Sequence, residues 1–216
     1  MKSILVIGMG RFGRHLAQRM QELGNNVMVV DVHEGNINPY VSLFTDSQIG
    51  DCTNESVVRA LGVDTFDICF VTIGENFQSS LIVTSHLKNA GAKRVIAKAN
   101  QDIQADLLYK IGADEVIYPE REMAEKVAVR YTAKNIFDYV PLTAEYSIYE
   151  IPILENWVGK TIMELNVRRK YRLNIIAVKN DGAISPMPGP DYMFVQGDHV
   201  VVMGKADDVF KLSAKT

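Results

Sequence analysis

The stretch Ile4-Leu5-Val6-Ile7-Gly8-Met9-Gly10-Arg11-Phe12-Gly13 decides the fold. Four aliphatic residues in a row read as a buried strand, and three glycines spaced G-x-G-x-x-G follow directly, at the mouth of a helix. In that setting each glycine has a physical task. Gly8 permits the tight turn, Gly10 lets backbone approach a diphosphate closely, and Gly13 lets the helix pack on the strand. The helix N-terminus adds N–H donors and the positive end of a dipole. Asp31 ends the next apolar run, at the spacing where a carboxylate accepts hydrogen bonds from ribose hydroxyls. Met9 and Phe12 fill the loop and His33 follows the acid, so all three are counted with the site. Arg11 has no packing role in such a loop and is expected to aim its guanidinium at phosphate oxygens. The competing reading is a glycine turn that binds nothing.

Outward from this stretch, short β-branched runs alternate with amphipathic segments over 1–138. Strands are expected at 3–7, 27–31, 48–50, 67–73, 94–98 and 115–117. Phe12, Leu16, Met20 and Leu23 recur three or four apart, as do Leu107, Leu108 and Ile111, which gives helices with an apolar face. Gly24 and Gly112 stand where such helices stop. Repeated βαβ units with right-handed connections make an α/β, Rossmann-like doubly wound parallel sheet. A helix is expected at 122–137, and Val140-Pro141-Leu142 reads as a hinge. From 139 to 216 the texture is that of a small α+β unit. Strands are expected at 147–153, 174–179 and 199–203, helices at 161–165 and 206–212, a tight turn at Asn180-Asp181-Gly182, and a loop at Pro186, Pro188, Gly189 and Pro190. So short a unit has a marginal core and is expected to pair with a copy of itself.

Ligands of a doubly wound sheet sit at the carboxyl ends of its strands. Gly50-Asp51-Cys52 closes the third strand where an adenine would lie: Asp51 reads as acceptor for the exocyclic amine and Cys52 as ring wall, or else as a buried small hydrophobe. Thr72-Ile73-Gly74-Glu75-Asn76 ends the fourth strand, and Asn76 reads equally as a helix cap. Lys98 ends the fifth strand as a point charge for a phosphate, or as a solvated surface lysine.

The bulk properties exclude other classes. The chain has 216 residues, 47% hydrophobic and 23% charged, with net charge −3, the mix of a globular protein rather than a disordered one. Its charges form no basic stripe, so nucleic acid is not an expected partner. The longest apolar runs fall far short of the ~20 residues of a membrane span. The opening residues do not read as a signal peptide, and Cys52 and Cys69 form no disulfide framework, which suits a reducing cytosol. Hydride transfer needs an acid or base beside the cofactor. His15, His33, His86 and His199 are not paired by spacing with Ser, Cys or a carboxylate and show no metal-ligand spacing, so no catalytic residue is assigned and the chain is not expected to be an enzyme.

Across its length the chain resembles a known family, the RCK-domain regulatory subunits of Ktr and Trk potassium transporters, KtrA-like in having a TrkA N-terminal and a TrkA C-terminal domain. The residues that carry the resemblance are the glycine loop with Arg11 and Phe12, Gly50-Asp51, Ile73-Gly74-Glu75-Asn76, Lys98, Lys110-Ile111-Gly112-Ala113-Asp114, Pro119-Glu120-Arg121, and Leu165-Asn166-Val167-Arg168 with Tyr171. The resemblance implies a cytoplasmic subunit, peripheral to the inner face of the membrane. Its dimers would assemble into an octameric ring under a KtrB- or TrkH-like potassium-translocating partner. It implies ATP and ADP competing for the first domain, with Arg11 and Lys98 on phosphates, Asp31 on ribose, Asp51 and Cys52 on adenine, and Glu120 near the terminal phosphate or an associated Mg or Ca ion. Glu120 also reads as an acid that complements a helix N-terminus. The helix at 122–137 would cross between neighbouring subunits. In the C-terminal domain the resemblance implies a cyclic di-AMP cleft with Arg168 on a phosphate, Asn174 on an adenine edge, and Ile162, Leu173, Ile175 and Pro188 as apolar walls. The pattern departs at Arg172, where a small residue is expected, and in the proline-rich 185–192 loop. The alternatives are an NAD(H)-sensing Trk-type subunit, a small NAD-dependent oxidoreductase, and a stand-alone redox-sensing repressor, the last without a helix-turn-helix segment.

Overall fold

In the computed structural model the described residues are 1–132, 136–143 and 145–213. They form two compact units, Met1–Arg121 and Glu122–Thr216. The division falls earlier than the 138/139 boundary expected from sequence texture, inside one helix.

In the first unit the strands are β1 (Ser3–Ile7), β2 (Asn26–Asp31), β3 (Asp46–Ile49), β4 (Ile68–Val71), β5 (Val95–Lys98) and β6 (Glu115–Ile117). All pair in parallel, in the order β3-β2-β1-β4-β5-β6. The helices are α1 (Arg11–Glu22), α2 (Glu34–Ile37), α3 (Glu55–Ala60), α4 (Phe77–Asn89), α5 (Asp102–Lys110) and α6 (Pro119–Thr132), the last running across the division. The central strands are apolar throughout because both faces are covered. Along β1, Ile4 and Val6 join a core with Val27, Val29, Phe70 and Ala17 of α1, whereas Leu5 and Ile7 join one with Cys69, Val71, Val83 and Leu87 of α4. Strand order reverses between β1 and β4, so the connections leaving their carboxyl ends diverge and open a crevice.

The second unit is an antiparallel sheet of β7 (Asp138–Pro141), β8 (Tyr146–Pro152), β9 (Asn174–Asn180), β10 (Ala183–Pro186) and β11 (His199–Lys205), in the order β10-β9-β11-β8-β7. Helices α7 (Ile162–Leu165), α8 (Val167–Tyr171) and α9 (Ala206–Ser213) accompany it. Its core gathers Tyr149, Ile151, Trp157, Leu173, Phe194, Val200, Val202 and Leu212.

Several local expectations are corrected. The expected hinge at 140–142 is instead mostly strand β7, and Pro186 belongs to strand β10 rather than a loop. Both are edge strands, where a proline without an N–H removes no ladder bond and discourages further pairing. Helix α6 starts at Pro119 rather than 122, because proline is preset for a first helical turn, and residues 133–135 of the expected helix lie outside the described residues. β3 begins at Asp46 rather than 48, its polar residues having masked an edge strand. β4 stops at Val71, releasing Thr72 and Ile73 at the crevice. The expected turn is present: Asp181 and Gly182 have φ of 44° and 79° between the paired Asn180 and Ala183, a type I′ hairpin.

Candidate functional site

The glycine loop is locked by backbone it touches. Gly8 has φ of 100°, the left-handed region that side chains avoid, and a Cβ there would press on the Ile73 amide. A Cβ on Gly13 would land on the Gly8 carbonyl oxygen and the Thr72 hydroxyl, so only glycine admits α1 this close to β1. The Thr72 hydroxyl oxygen lies 2.5 Å from the Gly8 carbonyl oxygen and 3.1 Å from that of Ile7, tying the β4 exit to the loop. At Gly10 a Cβ would meet nothing within 4 Å. The protein's own packing therefore does not demand glycine there, and the cleared space faces the crevice.

Asp31, 7% exposed, accepts at Oδ2 from the Met9 amide (2.6 Å) and at Oδ1 from the His33 amide (2.8 Å). This carboxylate clamps the glycine loop to the end of β2, and each oxygen keeps a lone pair for a further donor. Asp51 accepts at Oδ1 from the hydroxyl (2.7 Å) and the amide (2.9 Å) of Thr53, which hold its pKa below the usual carboxylate range. Cys52 is buried at 4% exposure, and burial pushes its thiol up to about 12, so it stays neutral and is neither nucleophile nor thiolate ligand at pH 7. Asn76 caps α4, its Oδ1 accepting from the Ser79 amide (3.0 Å).

Lys98 is 9% exposed yet meets Glu120 at 2.6 Å, and Phe12 lays its ring 5.8 Å from the ammonium. The hydrogen bond from Lys98 holds the Glu120 carboxyl below its usual range, with Arg11 adding a smaller pull. A cation drawn out of water is costly without a counter-charge, and Glu120 at the start of α6 supplies it.

A cleft of about 900 Å³ brings these groups together: Gly8, Met9, Gly10, Arg11, Phe12, Asp31, His33, Asp51, Cys52, Thr72, Ile73, Gly74, Asn76, Lys98 and Glu120 all line it. Gly13 lies beneath, out of the lining. Sequence reading missed Arg14, Val32, Asn36, Thr53, Ser79 and Asn100, which also line it. Arg14 follows the third glycine and donates to the Tyr40 hydroxyl (2.7 Å), a pairing no local pattern reveals. Asn100 stands two residues past β5 at the same carboxyl edge, a signal that would have found it; its amide donates to the Gly74 carbonyl (3.0 Å). Among the described residues no group of three His, Cys, Asp or Glu is arranged to hold a metal ion. The same residues contain no helix long and apolar enough to cross a membrane.

In the second unit, Arg168 donates to Asn174 Oδ1 at 2.7 Å. Ile162, Ile175 and Pro188 are part-exposed. Leu173 is 1% exposed within the unit's own core, so its side chain serves packing there. Of the four histidines, His15 and His33 are exposed and His86 contacts the Thr53 carbonyl at 3.1 Å. His199 meets Glu150 at 3.0 Å, a carboxylate pairing that residue spacing did not reveal.

The fold and the crevice define a class: a Rossmann-type nucleotide-binding unit followed by a small antiparallel domain, the RCK arrangement. The TrkA-N domain family matches residues 4–119 and the TrkA-C domain family residues 147–215. The chain is 36% identical over 214 residues to Ktr system potassium uptake protein C of Bacillus subtilis (strain 168), covering 99% of this chain and 97% of that one. It is 36% identical over 208 residues to Ktr system potassium uptake protein A of the same organism, covering 96% and 94%. Among solved structures it resembles the GsuK channel with TM-score 0.67 at 19% identity, over 96% of this chain and 38% of the channel. It also resembles the GsuK channel bound to NAD, with TM-score 0.53 at 20% identity, over 100% and 38%; both likenesses are of fold. The chain belongs to the TrkA-N/TrkA-C family of RCK regulatory subunits of Ktr and Trk potassium uptake systems.

Proposed function

We propose that this subunit senses adenine nucleotides in its first unit and thereby gates a KtrB- or TrkH-like potassium-translocating membrane partner, on whose cytoplasmic side it assembles as an octameric ring of dimers. The observation that carries this reading is the pairing of Lys98 with Glu120, with Arg11 beside it, at the mouth of the glycine loop. Cations at that end suit a polyphosphate. ATP and ADP differ only in the terminal phosphate, so any discrimination between ring states must come from groups that meet it. In this reading Arg11 and Lys98 hold phosphates, Asp31 holds ribose, Asp51 and Cys52 meet adenine, and Glu120 either yields Lys98 to the phosphates or shares a Mg or Ca ion with them. The part this chain plays is binding and transmission, with no catalysis. Cyclic di-AMP is proposed as a second ligand between paired C-terminal units, where Arg168 and Asn174 already lie together. The functional boundary is kept at 138/139, so that α6 travels with the nucleotide unit and crosses between neighbours.

A second reading, NAD or NADH in the same cleft, is favoured by the likeness to a channel bound to NAD. Titration calorimetry of the full chain with ATP, ADP, NAD and NADH separates the two. The adenine-nucleotide reading expects ATP and ADP to bind more tightly than either dinucleotide, and Arg11→Ala to change the ATP to ADP affinity ratio. Tighter binding of NADH or NAD would overturn it in favour of the second reading, and no heat from any of the four would remove both.

A further inference from the structure

Helices α8 and α9 lie side by side in the second unit and enclose a hollow of about 160 Å³. Lys170, Tyr171, Arg172, Asp208, Lys211 and Leu212 line it, and none of the residues read above for cyclic di-AMP does. Leu212 is buried beneath it, and the Tyr171 ring lies 5.7 Å from Trp157, tilted by 47°. The rim is cationic. Lys170, Arg172 and Lys211 form no ion pair among the described residues, and the Lys170 ammonium lies 5.4 Å from the centre of the Tyr171 ring.

Arg172 adds an independent observation. It ends α8 with φ of 59° and ψ of 28°, the left-handed cap that glycine ordinarily fills. An arginine there is strained, and such strain persists where the surroundings hold it and gathers at functional positions. The chain thus carries a long cation where backbone chemistry favours none.

We propose that this hollow is an anion site for a phosphate monoester, its dianion met by Arg172, Lys211 and Lys170 and the attached organic group laid against Tyr171. Three cations against the one acid, Asp208, leave two positive charges, which matches a dianion. The planar guanidinium fork pairs with two phosphate oxygens while the lysines act as point charges. The phosphate would come either from a free ester or from an anionic lipid headgroup. The inference stands apart from the nucleotide cleft.

The test uses the full chain and reads the hollow directly. Hydrogen–deuterium exchange of peptides spanning 167–173 and 206–213 is followed with inorganic phosphate, with glycerol phosphate, and with phosphatidylglycerol or phosphatidylcholine vesicles. The expected result is slower exchange in those peptides, with half-saturation weakened about tenfold or more in Lys211→Gln, as for loss of a charged hydrogen bond. Arg172→Gly separates binding from folding, because glycine relieves the left-handed backbone: its melting temperature should equal or exceed the parent's while protection is lost. Protection by soluble phosphates alone assigns a free ester. Co-sedimentation with phosphatidylglycerol but not phosphatidylcholine, reversed by phosphate, assigns the headgroup. The proposal fails if neither source protects the peptides, if Arg172→Gly is protected as well as the parent, or if that variant melts lower and so shows the guanidinium to be structural.

Discussion

Gly10 and Gly13 stand three residues apart in the same motif, yet physical chemistry asks opposite things of them. Gly13 is required by the protein, since a methyl there meets a carbonyl oxygen and a hydroxyl. Gly13→Ala should therefore cost about 1–3 kcal/mol of overpacking, read as a lowered denaturation midpoint. Gly10 is surrounded by open space, so Gly10→Ala should change stability by no more than about 0.5 kcal/mol while weakening nucleotide binding, read by calorimetry on the same samples. Equal loss of stability in both would show that the space over Gly10 is not reserved for a ligand. The two cysteines give a pH signature. Burial pushes Cys52 and Cys69 each up to about 12 from an ordinary 9.0, so above pH 9 the unfolded chain loses protons that the folded chain retains. Stability then falls as pH rises, by about 1.4 kcal/mol per pH unit for each thiol until the folded value is reached. Urea melts at pH 8, 9 and 10 should show this slope, and Cys52→Ala should lessen it.

At the scale of the element, helix ends decide what reaches the crevice. Asn76 starts α4 by accepting from the Ser79 amide, and it does so while lining the cleft. Asn76→Ala should destabilise the first unit by about 1 kcal/mol, and Asn76→Asp should restore it, because a carboxylate caps as well and suits the helix dipole. Any nucleotide contact of Asn76 would appear as an affinity loss that persists in the aspartate variant. β1 and β2 were legible because strand, glycine loop and terminal acid follow one another within a short window. β3 was placed two residues late and β7 and β10 were not read as strands, since edge strands need not be apolar and tolerate a proline that elsewhere breaks a ladder. The helix expected at 161–165 is followed by a second, α8, that the sequence reading missed, and Asn166 divides the two with a left-handed φ of 48°.

At the scale of the molecule, the two units hold separate hydrophobic cores, one pair of clusters about the parallel sheet and one about the antiparallel sheet. Scanning calorimetry of the full chain should resolve two transitions, and a saturating cleft ligand should raise the one belonging to the first unit, by about 2.7 kcal/mol at a hundredfold excess over Kd. Displacement of both transitions together would instead report coupling of the units through α6.

From sequence alone came whatever is written in neighbouring residues: the parallel α/β unit, the G-x-G-x-x-G turn at the tip of β1, the acid at the end of β2, and the Asp181-Gly182 hairpin. Periodicity and turn chemistry are local, so a short window carries them. Only the tertiary structure decided that Asp31 clamps the Met9 amide, that Glu120 neutralises Lys98 across 22 positions, that Glu150 meets His199, and that Arg172 joins Lys211 over one hollow. Those pairings depend on strand order and chain path, which no local pattern encodes. At Asp31 and Lys98 a charge also leaves water, so those two pairings set the electrostatics of the cleft.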